Sequence, residues 1–432
     1  MKKLRFLSTL ATLFIMVIFT VQAAPKKIVF WHSMGGNLQK SVEKIVKDYN
    51  SSQDKYEIEA IYQGSYDETL NKFRAVAGTK EAPSIVQVYE IGTQFMINSG
   101  YITPIQELME ADNYDSSKLE DFILNYYRVD GKLYSMPFNS SSAIMIYNKD
   151  AFKKAGLNPN KGPQSFSELK KVAKKLTESK ETKYGFAMLM HGWFFEQMMA
   201  NSKEYYANKN NGRDGIPTKV NFNNKAGKEI FSMLRDMYKE GTAESFGRSW
   251  SDIRNAFISK QVGIYLDSSS GLRDIIDNAD FEVGVSFLPG PNKEFYGALI
   301  GGASLWVSNS VSKDEQKGAW DFLKFAASPS EQAYWANSTG YYPINKDAYK
   351  EPSLIENNKK YPQMTIATAQ IQKSVKSKYT QGALLGTFPE IRQKVVIALE
   401  ENYEGKKSID KILKQLESDC NKIIKRYNML NN

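Results

Sequence analysis

The sequence predicts two α/β lobes, each a mainly parallel sheet flanked by helices, joined by a hinge where the chain crosses between them. Three observations carry this. Strand-like apolar runs alternate with loops and amphipathic helices along most of the chain, and such alternation builds parallel sheets with helical cover. The chain has 432 residues, more than one hydrophobic core usually holds, so two lobes are expected. Residues 134–157 (YSMPFNSSSAIMIYNKDAFKKAGL) have the character of the crossing. Within them Pro137 holds its predecessor extended, and 139–142 are small polar groups able to bond a backbone or a ligand. Residues 143–147 then read as an apolar strand and 148–157 as a capped helix. A serine cluster feeding a buried strand makes a poor core and a good cleft wall, which directs Ser141 toward whatever lies between the lobes.

In chain order, Lys2, Lys3 and Arg5 precede an apolar run at 6–20 and the small-residue ending Val21-Gln22-Ala23, the pattern of a cleaved export leader over 1–23. The run is short for a membrane span, and no cysteine follows it to carry a lipid, so a mature protein in a periplasm-like space is expected. Strands are expected at 27–31, 56–61 and 84–89, with helices at 37–49 and 67–77 between them. Sheets of this kind bind ligands at the carboxyl ends of their strands, and the loops there hold Ser33, Tyr66 and Glu90. After the crossing, a helix at 165–179 opens on a Ser-x-x-Glu signal (Ser165, Glu168). A strand at 184–190 leads into His191-Gly192-Trp193, and 209–215 (KNNGRDG) reads as a surface loop.

Helices at 224–241 and 252–260 come next, then a strand at 262–266 and a second serine-rich loop, 267–271 (DSSSG). The strand at 281–288 ends in Pro289-Gly290-Pro291, which is linker chemistry. A strand at 299–307 carries Gly301 and Gly302. Helices at 312–327 and 329–337, a loop at 338–343, a helix at 363–373 and a helix opening near Pro389 complete the run, the last carrying Arg392. The final helix shows an apolar row of Ile409, Ile412, Leu413, Leu416, Cys420, Ile423, Ile424 and Tyr427, which makes the single cysteine a buried small hydrophobe. Breaks at 138–142, 289–295 and 328–329 divide the lobes as 24–140 with 297–328 and 141–296 with 329–432.

The formal net charge is +9; removing Lys2, Lys3 and Arg5 leaves 54 basic against 48 acidic residues, or +6. The bases are spread over many helix faces, which gives no stripe for a nucleic acid. Only two histidines occur, His32 and His191. Residues 302–306 (GASLW) begin like a nucleophile elbow but lack its final glycine. There is no Walker loop, H-E-x-x-H or EF-hand pattern, and no paired cysteines or close histidines for a soft metal site. Neither catalysis nor a cofactor is expected, with a secreted hydrolase kept as an alternative behind binding.

Two serine-rich loops, a glycine pair and an arginine at a helix start supply the hydroxyls, backbone N–H groups and guanidinium that a phosphate takes. A helix N-terminus favours an anion, and an arginine fork matches two oxygens at once. Tyr66, Trp193 and Tyr341 suit the carbon side of a small polyol, and Glu90 can accept from its hydroxyls. Each residue also has a plainer account: Glu90 as a solvated carboxylate, Arg392 as partner of a surface acid, Trp193 as core, Ser141 and Ser268 as turn and cap residues, and Gly302 as close backbone packing.

One set of segments runs through nearly the whole chain: FWHSMGG (30–36), APSIVQVYEIGT (82–93), PFNSSS (137–142), YNKDAFKKAGL (147–157), KNNGRDG (209–215), IGGASLWV (300–307), TGYYPI (339–344) and PEIR (389–392). On these the chain resembles the extracellular solute-binding proteins of ABC importers, among them those that take sn-glycerol-3-phosphate. The resemblance implies the type II periplasmic binding protein fold, ligand capture by lobe closure, and delivery to membrane permease subunits and their ATPase. It implies Tyr66 and Glu90 at the glycerol moiety, Ser141, Ser268, Gly302, Tyr341 and Arg392 at the phosphate, and Trp193 as a wall of the cleft. Tyr66, Glu90 and Gly302 are expected from the first lobe, Ser268, Tyr341 and Arg392 from the second, and Ser141 at the crossing. Family members carry a second tryptophan three residues before the position of Trp193, where this chain has Met190. A flexible thioether replaces a flat ring there, which opens the choice between glycerol-3-phosphate and a larger glycerophosphodiester such as glycerophosphocholine. A neutral sugar on the same fold is the alternative ligand.

Overall fold

The computed structural model describes residues 24–431, so the expected leader at 1–23 lies outside the described residues. Strand Lys26–His32 pairs in parallel with Tyr56–Tyr62 on one side and Ile85–Tyr89 on the other. Helix Asn37–Ser52 makes the first return and buries Val42, Ile45, Val46 and Tyr49, the spacing of one helical face. Helix Tyr66–Val76 makes the second. Its start is fixed by a reciprocal cap, with Ser65 accepting from the Glu68 N–H and Glu68 from the Ser65 N–H. Tyr66 is thereby set as the first helical residue. The wholly buried strand Ile85–Tyr89 runs straight into the short turn Glu90–Gly92, which delivers Glu90 to the carboxyl edge of the sheet.

The centre of the molecule is strand Met136–Asn148, thirteen residues long and buried throughout. Residues 136–142 pair antiparallel with Ile300–Ser308, which itself lies antiparallel to Ile85–Tyr89. Residues 143–148 pair antiparallel with Val262–Ser268 on one side and Val283–Ser286 on the other. The expected division into approach, polar run and strand is therefore corrected to one continuous strand. Asparagine and serine are poor strand formers, but tertiary partners override the propensity. Gln87 Nε2 donates to Asn139 Oδ1 at 2.8 Å and Gln370 Nε2 to Ser142 Oγ at 3.0 Å, with the Tyr342 hydroxyl also donating to Ser142. Buried polar groups that find partners carry little penalty. Side-chain alternation sets Ser141 on the face opposite Ser140 and Ser142.

Beyond the crossing, Val262–Ser268 pairs in parallel with Tyr184–Met188, and that strand with Ala243–Glu244. The α/β sheet is thus parallel in its outer ladders and antiparallel where the chain crosses. The breaks at 289–295 and 328–329 fall between Val283–Ser286 and Ile300–Ser308, and between Lys313–Ala326 and Pro329–Thr339. The C-terminal helix Ile409–Asn431 packs on Phe388–Glu404 through Ile412, Leu413, Leu416, Cys420, Ile423 and Ile424. Burial pushes the Cys420 thiol up to about 12, which keeps it inert.

The segment 209–215, expected as a surface loop, is a tie between distant regions. Lys209, Asn210 and Asn211 all have left-handed backbones (φ 55°, 51° and 65°), and Asn211 is buried. The turn aims Arg213 inward, where it donates to the carbonyls of Tyr126 (2.9 Å), Arg128 (3.3 Å), Gln381 (3.1 Å) and Gly382 (2.8 Å). Polarity alone cannot distinguish such a segment from a solvated loop.

Candidate functional site

A cleft of about 480 Å³ lies between the two halves of the sheet, a size suited to a small molecule. Tyr66, Glu90, Ser141, Trp193, Ser268, Gly302, Tyr341 and Arg392, the eight residues expected from the sequence, all line it. A larger groove of about 910 Å³ runs beside Lys170, Lys225 and Asp236. It gathers mainly surface side chains, whereas the smaller cleft gathers buried polar groups, and that convergence singles it out.

Arg392 is the centre of the site. It stands in the first turns of helix Phe388–Glu404 with only 7% of its side chain exposed. Its Nε and Nη2 donate to Glu196 Oε1 and Oε2, both at 2.7 Å, and Nη2 also donates to Glu90 Oε1 at 2.7 Å. Nη2 is then fully used, and Nη1 has no acceptor among the described residues. Burial works against the Arg392 charge, but two carboxylates outweigh it and hold the guanidinium well above its ordinary value. Burial pushes Glu196 up to about 7, against the pull of Arg392 and with help from Glu90. The Glu90–Arg392 pair also ties the turn after strand Ile85–Tyr89 to helix Phe388–Glu404.

Glu196 was not among the expected residues. It belongs to helix Gly192–Asn201, which the reading of 191–193 as a strand-to-loop junction did not extend, and all ten residues of that helix are buried. A signal was present: Glu196 is the sole charged residue in GWFFEQMMAN, and a buried acid requires a partner. Gly192 allows the meeting, because a Cβ there would crowd the Arg392 side chain and carbonyl. The plainer account of Glu90 as a solvated carboxylate does not hold, because it is buried and paired with Arg392. One expectation for Arg392 is corrected: its fork is held by Glu196 rather than left for two ligand oxygens.

The remaining groups are placed by the strand ends. Ser141 is buried, and its hydroxyl has no partner among the described residues. Ser268 closes strand Val262–Ser268 and accepts from the Ser270 N–H at 3.3 Å. Ser268 and Ser270 line the cleft, while Ser269 turns inward. Gly302 has φ +97°, and a Cβ there would overlap the Asn139 carbonyl oxygen, so only glycine brings the backbone this close. A Cβ on Gly301 would strike the Trp193 indole, which makes that glycine the seat of the ring. Tyr66 stacks on Tyr89 at 5.4 Å and its hydroxyl accepts from Asn139 Nδ2 at 2.8 Å. Tyr341 stacks on Trp335 at 5.5 Å. Met190 and Trp250 add to the wall. Burial, with Arg392 adding to it, lowers His191 to about 3; the neutral ring accepts from the Trp193 N–H through Nδ1 at 3.2 Å.

The electrostatics run opposite to the mild positive charge of the chain. Arg254 is neutralised by Asp267 and Arg248 by Glu400. Asp67, on the same wall, accepts from the Tyr89 hydroxyl at 2.6 Å. Arg392 faces two acids. The arrangement presents guanidinium edges, each with Nη1 unclaimed among the described residues, a free Ser141 hydroxyl and aromatic faces beside paired acids, which suits binding of a polar solute.

The family model described as bacterial extracellular solute-binding protein matches residues 44–365. The chain belongs to this family. This solute-binding protein is 35% identical over 438 residues, 99% of each chain, to the sn-glycerol-3-phosphate-binding periplasmic protein UgpB of Escherichia coli O1:K1. It is likewise 35% identical over 422 residues, 95% of each chain, to that of Salmonella typhimurium strain LT2. Its fold matches UgpB from Mycobacterium tuberculosis in complex with glycerophosphocholine (TM-score 0.81, 22% identity, 94% and 100% covered). It also matches the cyclic α-maltosyl-1,6-maltose binding protein of Arthrobacter globiformis (TM-score 0.76, 21% identity, 93% and 100% covered). The expected type II periplasmic binding protein fold is therefore the fold of this solute-binding protein, and its role is the solute-binding component of an ABC importer. Proteins of this family deliver ligand to an ABC permease and its ATPase. Among the described residues no helix is long and apolar enough to cross a membrane.

Proposed function

We propose that this solute-binding protein captures a glycerol phosphate, either sn-glycerol-3-phosphate or a glycerophosphodiester, and hands it to the permease of an ABC importer. The lobes are residues 24–140 with 297–328 and 141–296 with 329–432, with a hinge through strand Met136–Asn148. The observation that carries the reading is a buried guanidinium, Arg392, whose Nη1 is unclaimed in a cleft that also holds the unclaimed Ser141 hydroxyl. In this reading Arg392 Nη1, Ser141, Ser268, Gly302 and Tyr341 take the phosphate. Glu90 and Tyr66 take the glycerol hydroxyls, and Trp193 takes the carbon face. The relatives named for sn-glycerol-3-phosphate support it.

Contacts from both lobes exist together only when the cleft is closed, so the ligand stabilises closure, and the closed form is what a permease reads. The leader at 1–23 directs export to the periplasm and is removed. The protein works by binding and release, without catalysis or a cofactor. One observation favours a second reading: two carboxylates on one guanidinium suit a neutral sugar. A thermal-shift screen of purified protein against sn-glycerol-3-phosphate, glycerophosphocholine and maltose separates the two, since a ligand of the folded state alone must raise its stability. The melting temperature should rise with a glycerol phosphate and stay level with maltose. A rise with maltose alone would replace this reading with the sugar reading.

A further inference from the structure

Glu196 is not on the cleft wall. It lines a small cavity behind Arg392, with Glu204, Tyr206 and Phe388. Its carboxylate reaches the cleft only through the guanidinium, and that contact changes what Arg392 offers in two ways. First, Nε and one Nη2 proton are held by Glu196, and Glu90 takes the other Nη2 proton. Only Nη1 remains, so the side-on clamp by which arginine favours a multiply charged oxyanion is closed to a ligand. Second, the acids are in excess. Arg254 is balanced by Asp267 and Arg248 by Glu400, which leaves Glu90 and Glu196 against Arg392, with Asp67 on the wall. A phosphate monoester brings close to two negative charges at neutral pH, whereas a diester brings one.

Resting on the proposed glycerol phosphate reading, we propose that Glu196, acting through Arg392, is a positioning residue that sets this cleft to prefer a phosphodiester over a phosphomonoester. The cleft, at about 480 Å³, has room for a substituent beyond the phosphate. Met190 lines that space beside His191 and Trp250, and its thioether adapts to the added group.

Calorimetry at pH 8.5, where Glu196 is ionised, with sn-glycerol-3-phosphate and its methyl phosphodiester tests this, since the pair differs by one charge and one methyl. The parent protein should bind the diester more tightly. Glu196→Gln should move the ratio toward the monoester by about tenfold, the worth of removing one like charge on the far side of the guanidinium at an intermediate dielectric. Glu196→Asp should keep the parent ratio even if both affinities fall. A purely structural role for Glu196 would weaken both ligands alike and leave the ratio fixed. A parent preference for the monoester of tenfold or more overturns the inference whether or not the variants fold. So does an unmoved ratio in Glu196→Gln. If the parent binds neither ligand, the glycerol phosphate reading itself fails and this inference falls with it; binding of both with the wrong ratio defeats only the inference.

Discussion

Three arginines line the cleft, Arg248, Arg254 and Arg392, and the last two are held differently. Arg254 lays Nε and Nη2 on Asp267 at 2.9 Å each, and that carboxylate is completed by the Tyr265 hydroxyl at 2.9 Å and the Ser268 N–H at 2.6 Å. One cation meets one anion, and the anion is saturated. Among the described residues Nη1 has no acceptor in either arginine, but Arg392 meets two anions and leaves Glu90 Oε2 without a donor. The first arrangement is a closed strut that fixes the turn carrying Ser268. The second is incompletely neutralised and stays responsive. Buried charge that is fully matched is scaffold; buried charge left short of a partner marks where a solute or a proton enters.

Arg254→Ala should break the strut with the larger loss of stability, about 3–5 kcal/mol, because Asp267 is wholly buried and would be left uncompensated. Denaturant unfolding checks this. Arg392→Ala should cost less stability, since Glu196 can take up a proton, but should weaken glycerol phosphate binding by about 2–4 kcal/mol. Calorimetry that finds ligand affinity unchanged in Arg392→Ala would remove the responsive half of the comparison.

The next effect is on pH. Glu196 sits at about 7 in the fold against an ordinary 4.5. Between those values the folded chain keeps a proton that the unfolded chain has released. This contribution is therefore full below about pH 4.5 and fades as pH rises through about 7. Glu196→Gln cannot ionise and should lack that decline, a difference on the order of 2 kcal/mol across the window. Parallel urea melts from pH 4.5 to 7.5 would show it as converging or diverging curves; parallel curves would mean that Glu196 is ionised throughout. The smallest effect belongs to Ser141→Ala. It should lower ligand affinity by about 1 kcal/mol while leaving the melting temperature of the free protein in place, because no protein group depends on that hydroxyl.

The strand–helix alternation and the amphipathic helices could be read from the sequence, because hydrophobic period reports directly on which face is buried. Glu90 could be placed by the rule that strand ends carry ligand groups. Arg392 could not be placed by any local pattern, since PEIR is an ordinary helix start; the resemblance supplied it. Glu196 was hidden in a run whose apolar character drew no helix boundary, and its meaning depends on a partner 196 residues away. The crossing strand was split into parts because NSSS has loop composition, while the ladders that make it a strand come from residues 300–303. In each failure the deciding contact is distant in sequence, and local propensity carries no record of it.

Arg213 bears on how the molecule is assembled. Its four carbonyl acceptors lie between 85 and 169 residues away along the chain, and closing such long spans makes contacts late and slow to form. A chain that ends short of Gln381 leaves this guanidinium buried with half its acceptors missing. The C-terminal segment thus supplies half of the acceptors this guanidinium holds, and the tie is complete only with both distant neighbours in place.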